Sequence, residues 1–241
     1  MAILVGCAGW NIRKEYASEF PTSGTHLQRY ASRFHAVEIN SSFYRSHRLT
    51  TYQRWADSTP EEFRFSVKLP KQITHGSRLI DVQSQIEQFA SETIGLAQKL
   101  GTVLVQLPPS LDFDLAVAEP FFRNLRMSIE GPIVCEPRHT SWFDSDADFL
   151  FNEHRIGRVA ADPSIVPAAA IPGGYKATCY FRWHGSPQTY YSRYEEARLK
   201  NLAEQLVSIA AEGNSHWCIF DNTANGYATE NALSLNAFLS L

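Results

Sequence analysis

A single (β/α)8 barrel is the fold class that the sequence predicts. Three observations predict it: eight short apolar, β-rich runs, helical periodicity between most of them, and polar residues gathered at the C-terminal ends of the runs. The runs cover 3–7, 36–40, 63–68, 102–107, 132–136, 156–161, 178–184 and 215–221, and successive ends lie 23 to 39 residues apart. That spacing is the length of a strand–loop–helix–loop unit and points to a parallel sheet. The whole chain, 1–241, is expected to be one barrel domain without a linker, since such barrels commonly run to about 250 residues. An open doubly wound sheet is the alternative. It is disfavoured because Gly6-Cys7-Ala8-Gly9-Trp10-Asn11 lacks the glycine spacing such sheets carry after their first strand.

The helical segments follow in order. Short ones are expected over 27–34 and 52–55. The clearest runs from Asp81 to Leu100, with Ile86, Phe89, Ala90, Ala97 and Leu100 on one face and Gly101 as its stop. Another opens at Asp114 and carries Val117, Phe121 and Leu125. The sixth unit differs: 162–174 contains three prolines and two glycines, so its helix should be short or absent. Ser192 and Glu195 read as a capping box for a helix through Leu199, Leu202, Ala203, Leu206 and Ile209 to Gly213. A last helix is expected from Ala228 to the C-terminus.

Composition bounds the function. The chain is 44% hydrophobic and 20% charged, with a net charge of −3, which excludes disorder and a generally basic nucleic-acid binder. No run approaches the about 18 apolar residues of a membrane span, and the N-terminus lacks a signal-peptide pattern, so a cytoplasmic protein without a membrane partner is expected. Cys7, Cys135, Cys179 and Cys218 lie far apart inside apolar runs, and read as reduced buried thiols. A nucleophilic Cys7 is the alternative. Residues 1–54 carry seven basic against three acidic side chains, a local excess that could meet an anionic ligand or be a solvated face.

Barrel strands should be apolar on both faces unless a site needs otherwise. Here the exceptions cluster at run ends: Glu38 and Asn40, Ser66 and Lys68, Gln106, Glu136 then Arg138, Asp162, Arg182 and His184, Asp221 and Asn222. Strand alternation puts Glu38 with Asn40, Ser66 with Lys68, and Arg182 with His184 on one face, leaving Val37, Ile39, Phe65, Val67, Phe181 and Trp183 toward the helices. All these ends would open on the rim where active sites of barrels lie. The competing structural reading is that Glu38, Lys68, Glu136 and Arg182 form a buried ion-pair network that fills the mouth without chemistry. Burying several charges is costly, and function explains why that cost is tolerated at one end only.

Seven motifs in order resemble the YecE-like family, the domain of unknown function 72, over almost the whole chain. They are 6–10, 37–45, Phe65-Ser66-Val67-Lys68 with Ile73-Thr74-His75, 106–110, Glu136-Pro137-Arg138-His139 with Ser141-Trp142, Arg182-Trp183-His184-Gly185, and Phe220-Asp221-Asn222-Thr223 through Gly226, Ala228, Asn231 and Ala232. The resemblance implies a TIM-barrel fold and no particular reaction. Cys135, Pro137 and Asp221 depart from the residues common in the family.

The expected function is an enzyme, a hydrolase or isomerase, acting on a sugar-like or phosphorylated small molecule by carboxylate acid/base chemistry. Glu38 and Glu136 are the proposed acid and base, with Lys68 and His184 as further catalytic residues. Arg138 and Arg182 could hold a carboxylate or phosphate. Trp10, Asn40, Tyr44, His75, Gln106, Gly185, Asp221 and Asn222 complete the binding set. No cofactor is required. One alternative is a metal-dependent isomerase- or endonuclease-like barrel with Glu136, Asp162 and His184 as ligands to a divalent ion, joined by Glu38 and Asp221. Another is a non-catalytic binder of nucleotides or single-stranded nucleic acid on the basic N-terminal units with Trp10, Phe43 and Tyr44.

Overall fold

A computed structural model describes residues 3–210 and 215–240. The strands are β1 (Ile3–Cys7), β2 (Ala36–Ile39), β3 (Arg64–Lys68), β4 (Leu100–Gln106), β5 (Ile133–Glu136), β6 (Ile156–Arg158), β7 (Ala160–Asp162), β8 (Gly173–Gly174), β9 (Thr178–Trp183) and β10 (Ser215–Phe220). The helices are α1 (His26–Ala31), α2 (Leu49–Asp57), α3 (Gln83–Thr93), α4 (Leu115–Ser128), α5 (Ser145–Glu153), α6 (Glu196–Ala210) and α7 (Tyr227–Leu239). Every apolar run of the sequence contains a strand. None of the described helices is long and apolar enough to cross a membrane.

The strands form two sheets rather than the single closed sheet expected. One has the order β1-β10-β9-β7, and the other β2-β3-β4-β5-β6-β8. All pairings are parallel except β6 with β8. The sheets meet at two seams. At the first, the chain past β1 is still bonded to β10, Ala8 N–H to the Phe220 carbonyl at 2.9 Å, and meets β2 in an isolated bridge from Ala8 to Glu38, with the Gly9 N–H donating to the Glu38 carbonyl at 2.9 Å. At the second, the sixth apolar run divides. Residues 156–158 pair with β5, the Val159 N–H still reaches the Cys135 carbonyl at 2.9 Å, and 160–162 pair with β9.

Alternation sorts the side chains into two cores. Val37, Ile39, Phe65, Val67, Val103, Val105, Phe181 and Trp183 pack in the large core. The opposite strand faces place Ala36, Leu104, Val134, Val159, Tyr180, Trp217 and Ile219 in a second, smaller cluster. The Tyr180 hydroxyl crosses from one sheet to the other, 3.0 Å from Glu38 Oε2 and 2.9 Å from Ser66 Oγ. The inner face is thus apolar toward the strand N-termini and charged toward their C-termini.

Local sequence accounts for three of the described helix starts. Thr25 and Gln28 make a full capping box before α1, Asp114 caps α4 through the Ala116 N–H, and Asp144 caps α5 through the Ala147 N–H. The predicted box at Ser192 is not made. Ser192 Oγ instead accepts from the Gln188 N–H at 2.9 Å inside the preceding loop, and α6 starts four residues later than Ser192, at Glu196. Its predicted stop, Gly213, lies outside the described residues. The sixth unit has no α-helix: Pro167–Ala170 form a short 3-10 turn, and the glycine pair becomes β8. Gly174 has φ +58°, and a Cβ there would sit 2.6 Å from the Ile156 carbonyl oxygen, so the pair is required by its close approach to β6.

Candidate functional site

Arg182 is the centre of the charged end. It is fully buried on β9, because its register places it on the inner face, two residues beyond Tyr180. Its Nε and Nη2 donate to the two oxygens of Glu38 on β2 at 2.9 and 2.8 Å. Nη1 donates to Glu136 Oε2 on β5 at 3.0 Å, and Nη2 lies 2.8 Å from Asp221 Oδ2 just past β10. One guanidinium from the four-stranded sheet therefore binds two carboxylates of the other. Burial opposes its charge, but Asp221, Glu38 and Glu136 raise its pKa well above the ordinary value.

His184 stands two residues on, bridged between Asp221 Oδ2 at Nδ1 (3.1 Å) and Glu136 Oε1 at Nε2 (2.9 Å). Burial works to lower its pKa, and the two carboxylates outweigh it and raise the value. Burial likewise pushes Glu136 upward, yet Arg138, His184 and Arg182 hold it well below the usual carboxylate range. Asp221 is lowered against its burial by Arg182 and His184. The Glu136 carboxylate also accepts from Arg138 Nε at 3.0 Å and Gln106 Nε2 at 3.2 Å.

The expected free acid and base are therefore not free. Glu38 and Glu136 share Arg182, and Glu38, fully buried, is an anchor beneath the mouth. Glu136, held below the usual carboxylate range, is not set up as a glycosidase acid, and both oxygens of Glu38 are taken up by Arg182.

Lys68, at the end of β3, is built differently. Its side chain is buried, and Nζ rests 4.0 Å from the centroid of the Phe43 ring. Among the described residues Nζ makes no hydrogen bond and no ion pair, although three carboxylates share the mouth. Burial and Arg182 lower its pKa to about 8, against the pull of Glu38, Asp221 and Glu136. Phe43 is put in place by Ser42, whose hydroxyl donates to the Ile39 and Lys68 carbonyls at 2.8 and 2.6 Å, tying the β2 loop to β3.

His75 comes from a π-turn, Gln72–Gly76, after β3. Its ring meets the same Phe43 edge-on at 5.0 Å, and its Nδ1 lies 2.8 Å from Thr74 Oγ1. Burial, Lys68, Lys71 and Arg138 lower its pKa and favour the neutral ring. Arg138 is partly exposed, with Nη1 donating to the Tyr190 hydroxyl at 3.5 Å. Partly exposed His75 and Arg138, with Tyr190 against Arg138, thus lie toward solvent from buried Lys68. Glu38, Glu136 and Asp221 balance Arg182, Arg138 and Lys68, and a proton on His184 leaves one positive charge over.

The other expected residues divide. Gln106 and Asp221 join the cluster. Asn222 is drawn away: its Nδ2 donates to the Ser192 carbonyl and to Asn231 Oδ1, which fixes the loop leading to α6. Gly185, at φ +98°, donates its N–H to the Tyr194 hydroxyl at 2.8 Å and acts as a turn. Asn40 follows β2 with its Oδ1 buried and unpartnered. Trp10 packs edge-on against Trp55 at 5.1 Å, and Tyr44 is three-quarters exposed. Tyr44 and His75 line, with Arg45 and Lys71, a groove of about 560 Å³ beside the mouth.

Asp162 does not belong to the cluster. Its register partner is Trp183, which faces outward, and its carboxylate takes the Tyr194 hydroxyl at 2.7 Å and pairs with Arg198 of α6. No three histidine, cysteine or acidic side chains are grouped to hold a metal among the described residues. The proposed set of Glu136, Asp162 and His184 is therefore not assembled, because its members lie on opposite faces of the strands. Cys7 is no nucleophile: burial pushes its thiol up to about 12. All four cysteines are free and buried.

Tyr180 adds to the residues expected from the sequence, and it is legible in the alternation Tyr180-Arg182-His184.

The family model described as "Protein of unknown function DUF72" matches residues 4–241. The UPF0759 protein YunF of Bacillus subtilis (strain 168) is 26% identical over 99% of this chain and 95% of its own length. The UPF0759 protein YecE of Escherichia coli (strain K12) is 32% identical over 35% of this chain and 31% of its own. Among solved structures, a DUF72 family protein from Thermotoga maritima MSB8 is 25% identical with a TM-score of 0.82, and the match covers all of both chains. One from Enterococcus faecalis V583 is 21% identical, also at 0.82, covering 100% of this chain and 96% of that one.

Proposed function

Because this chain belongs to the family described as Protein of unknown function DUF72, whose description assigns no reaction, we propose a function from the site itself: an enzyme that binds a phosphorylated or otherwise anionic small molecule at the strand C-termini and moves protons on it. The observation that carries this reading is Lys68, a buried ammonium left without a carboxylate while Arg182 takes up all three. Lys68 and Arg138 hold the anion. His184, its pKa raised between Asp221 and Glu136, is the acid, and Glu136 sets its proton rather than acting alone.

In this reading the two sheets are arcs of one (β/α)8 barrel domain. The Ala8–Glu38 bridge and the passage of the sixth run from β5 to β9 support it, as does the second core enclosed by the strands.

Thermal unfolding in inorganic phosphate and in a panel of sugar phosphates tests the binding. A ligand at a hundredfold excess over Kd should add about 2.7 kcal/mol of stability. Arg138→Ala should abolish most of that gain. Equal shifts in wild type and Arg138→Ala, or none in either, would count against the reading.

A further inference from the structure

We infer that Lys68 is a carbonyl-reactive amine, and that the anionic ligand of the proposed site is an aldehyde or ketone that condenses with it. This inference rests on the anion-binding reading and narrows its substrate class.

A lysine meant only to hold an anion is best left fully charged, with a carboxylate nearby to keep it so. Here the arrangement does the reverse. Glu38, Glu136 and Asp221 are all directed onto Arg182, and Nζ is given the face of an aromatic ring. Burial and the neighbouring guanidinium of Arg182 both oppose its proton, which brings its pKa to about 8. At neutral pH such an amine carries about 300-fold more of the neutral, nucleophilic form than an ordinary lysine.

The partners for imine chemistry are present. The Nζ lone pair attacks the carbonyl carbon, and a proton passes from nitrogen to the former carbonyl oxygen to give a carbinolamine. His75, its neutral ring favoured and packed against the same Phe43 ring, can relay that proton. The C–O bond then breaks, the hydroxyl leaves as water with a proton supplied from the His184 side, and a C=N bond forms. One water is lost, and no oxidant or reductant is consumed. Arg138, beside the mouth, would hold the ligand's phosphate or carboxylate.

The experiment uses the full chain with glyceraldehyde 3-phosphate as the probe and borohydride as the reductant that fixes any imine as a secondary amine. The protein has six lysines, Lys14, Lys68, Lys71, Lys99, Lys176 and Lys200, so peptide mapping assigns the adduct without any variant. Expected is one adduct, on Lys68, formed at least about tenfold faster than on exposed Lys71, slowed by competing inorganic phosphate, and absent in Lys68→Arg. Labelling spread over the other lysines with Lys68 unmodified would overturn the inference. If phosphate still stabilises the protein while Lys68 stays unmodified, the imine falls and the anion site stands. If neither binding nor adduct occurs, both fall.

Discussion

Arg182 shows how much a single inward-facing residue can decide. It is fully buried, and three carboxylates converge on it from β2, β5 and the end of β10. Removing it leaves Glu38 without a cation and Glu136 and Asp221 with Arg138 and His184 alone, and Arg182→Ala should lose about 3–5 kcal/mol in urea unfolding, the usual cost of breaking a buried ion pair. A loss under about 1 kcal/mol would mean that the cluster rearranges freely, which conflicts with the hydrogen bonds described. Lys68 should behave in the opposite way. Its folded pKa, about 8, lies below that of an unfolded lysine, so between those values the unfolded state binds more protons and stability rises with pH. Relative to Lys68→Met, wild type should gain about 3 kcal/mol as pH rises from 8 to 10.5. The carboxylates run the same way at lower pH: Glu136 and Asp221, held low in the folded state, contribute stability above the unfolded carboxylate range and lose it as pH falls through their folded values. His184, held high, contributes below about 6.5 and loses that contribution as pH rises through its folded value. A flat pH difference between wild type and Lys68→Met would remove the basis for a reactive amine.

At the scale of elements, the run-by-run alternation was the legible part. The same period of two that sent Val37 and Phe181 outward sent Glu38 and Arg182 inward, so the cluster's membership could be read from the chain. Its wiring could not. Which carboxylate meets which cation depends on the offset between strands far apart in sequence, and no local pattern encodes it. Asp162 illustrates the gap: it ends a strand like the others, but Val159 spans the handover between two sheets, and 160–162 take the register of β9 with Asp162 beside outward Trp183. Ser192 failed as a cap for a similar reason, because its loop offers the hydroxyl a nearer donor in Gln188. Gly6 is a test of the β1 seam. A Cβ there would lie 2.1 Å from the Ala36 carbonyl oxygen, backbone that cannot yield cheaply. Gly6→Ala should therefore lose about 2 kcal/mol or more in denaturant unfolding, in the range of overpacked cores. A neutral effect would show that β1 and β2 can separate at no cost.

For the molecule as a whole, Tyr180 and Arg182 on one sheet and Glu38, Ser66 and Glu136 on the other turn the floor of the mouth into the clasp between the sheets. A ligand bound there only while the clasp is intact binds the native state alone, which is why binding is expected to appear in global unfolding. The eight apolar runs foretold the parallel strands and the missing sixth helix, and the division into two sheets arose where hydrogen-bond ladders, invisible in sequence, are interrupted. The helix-free sixth unit has one more consequence. Where other strands are backed by an α-helix, this stretch is flanked by a short proline-bearing turn and a glycine pair, so its backbone is the cheapest part of the wall to open. In heavy water, the amides of 160–162 should take up deuterium well before those of 103–105 in the middle of β4, and opening would then begin at the seam where the sixth run passes from one sheet to the other.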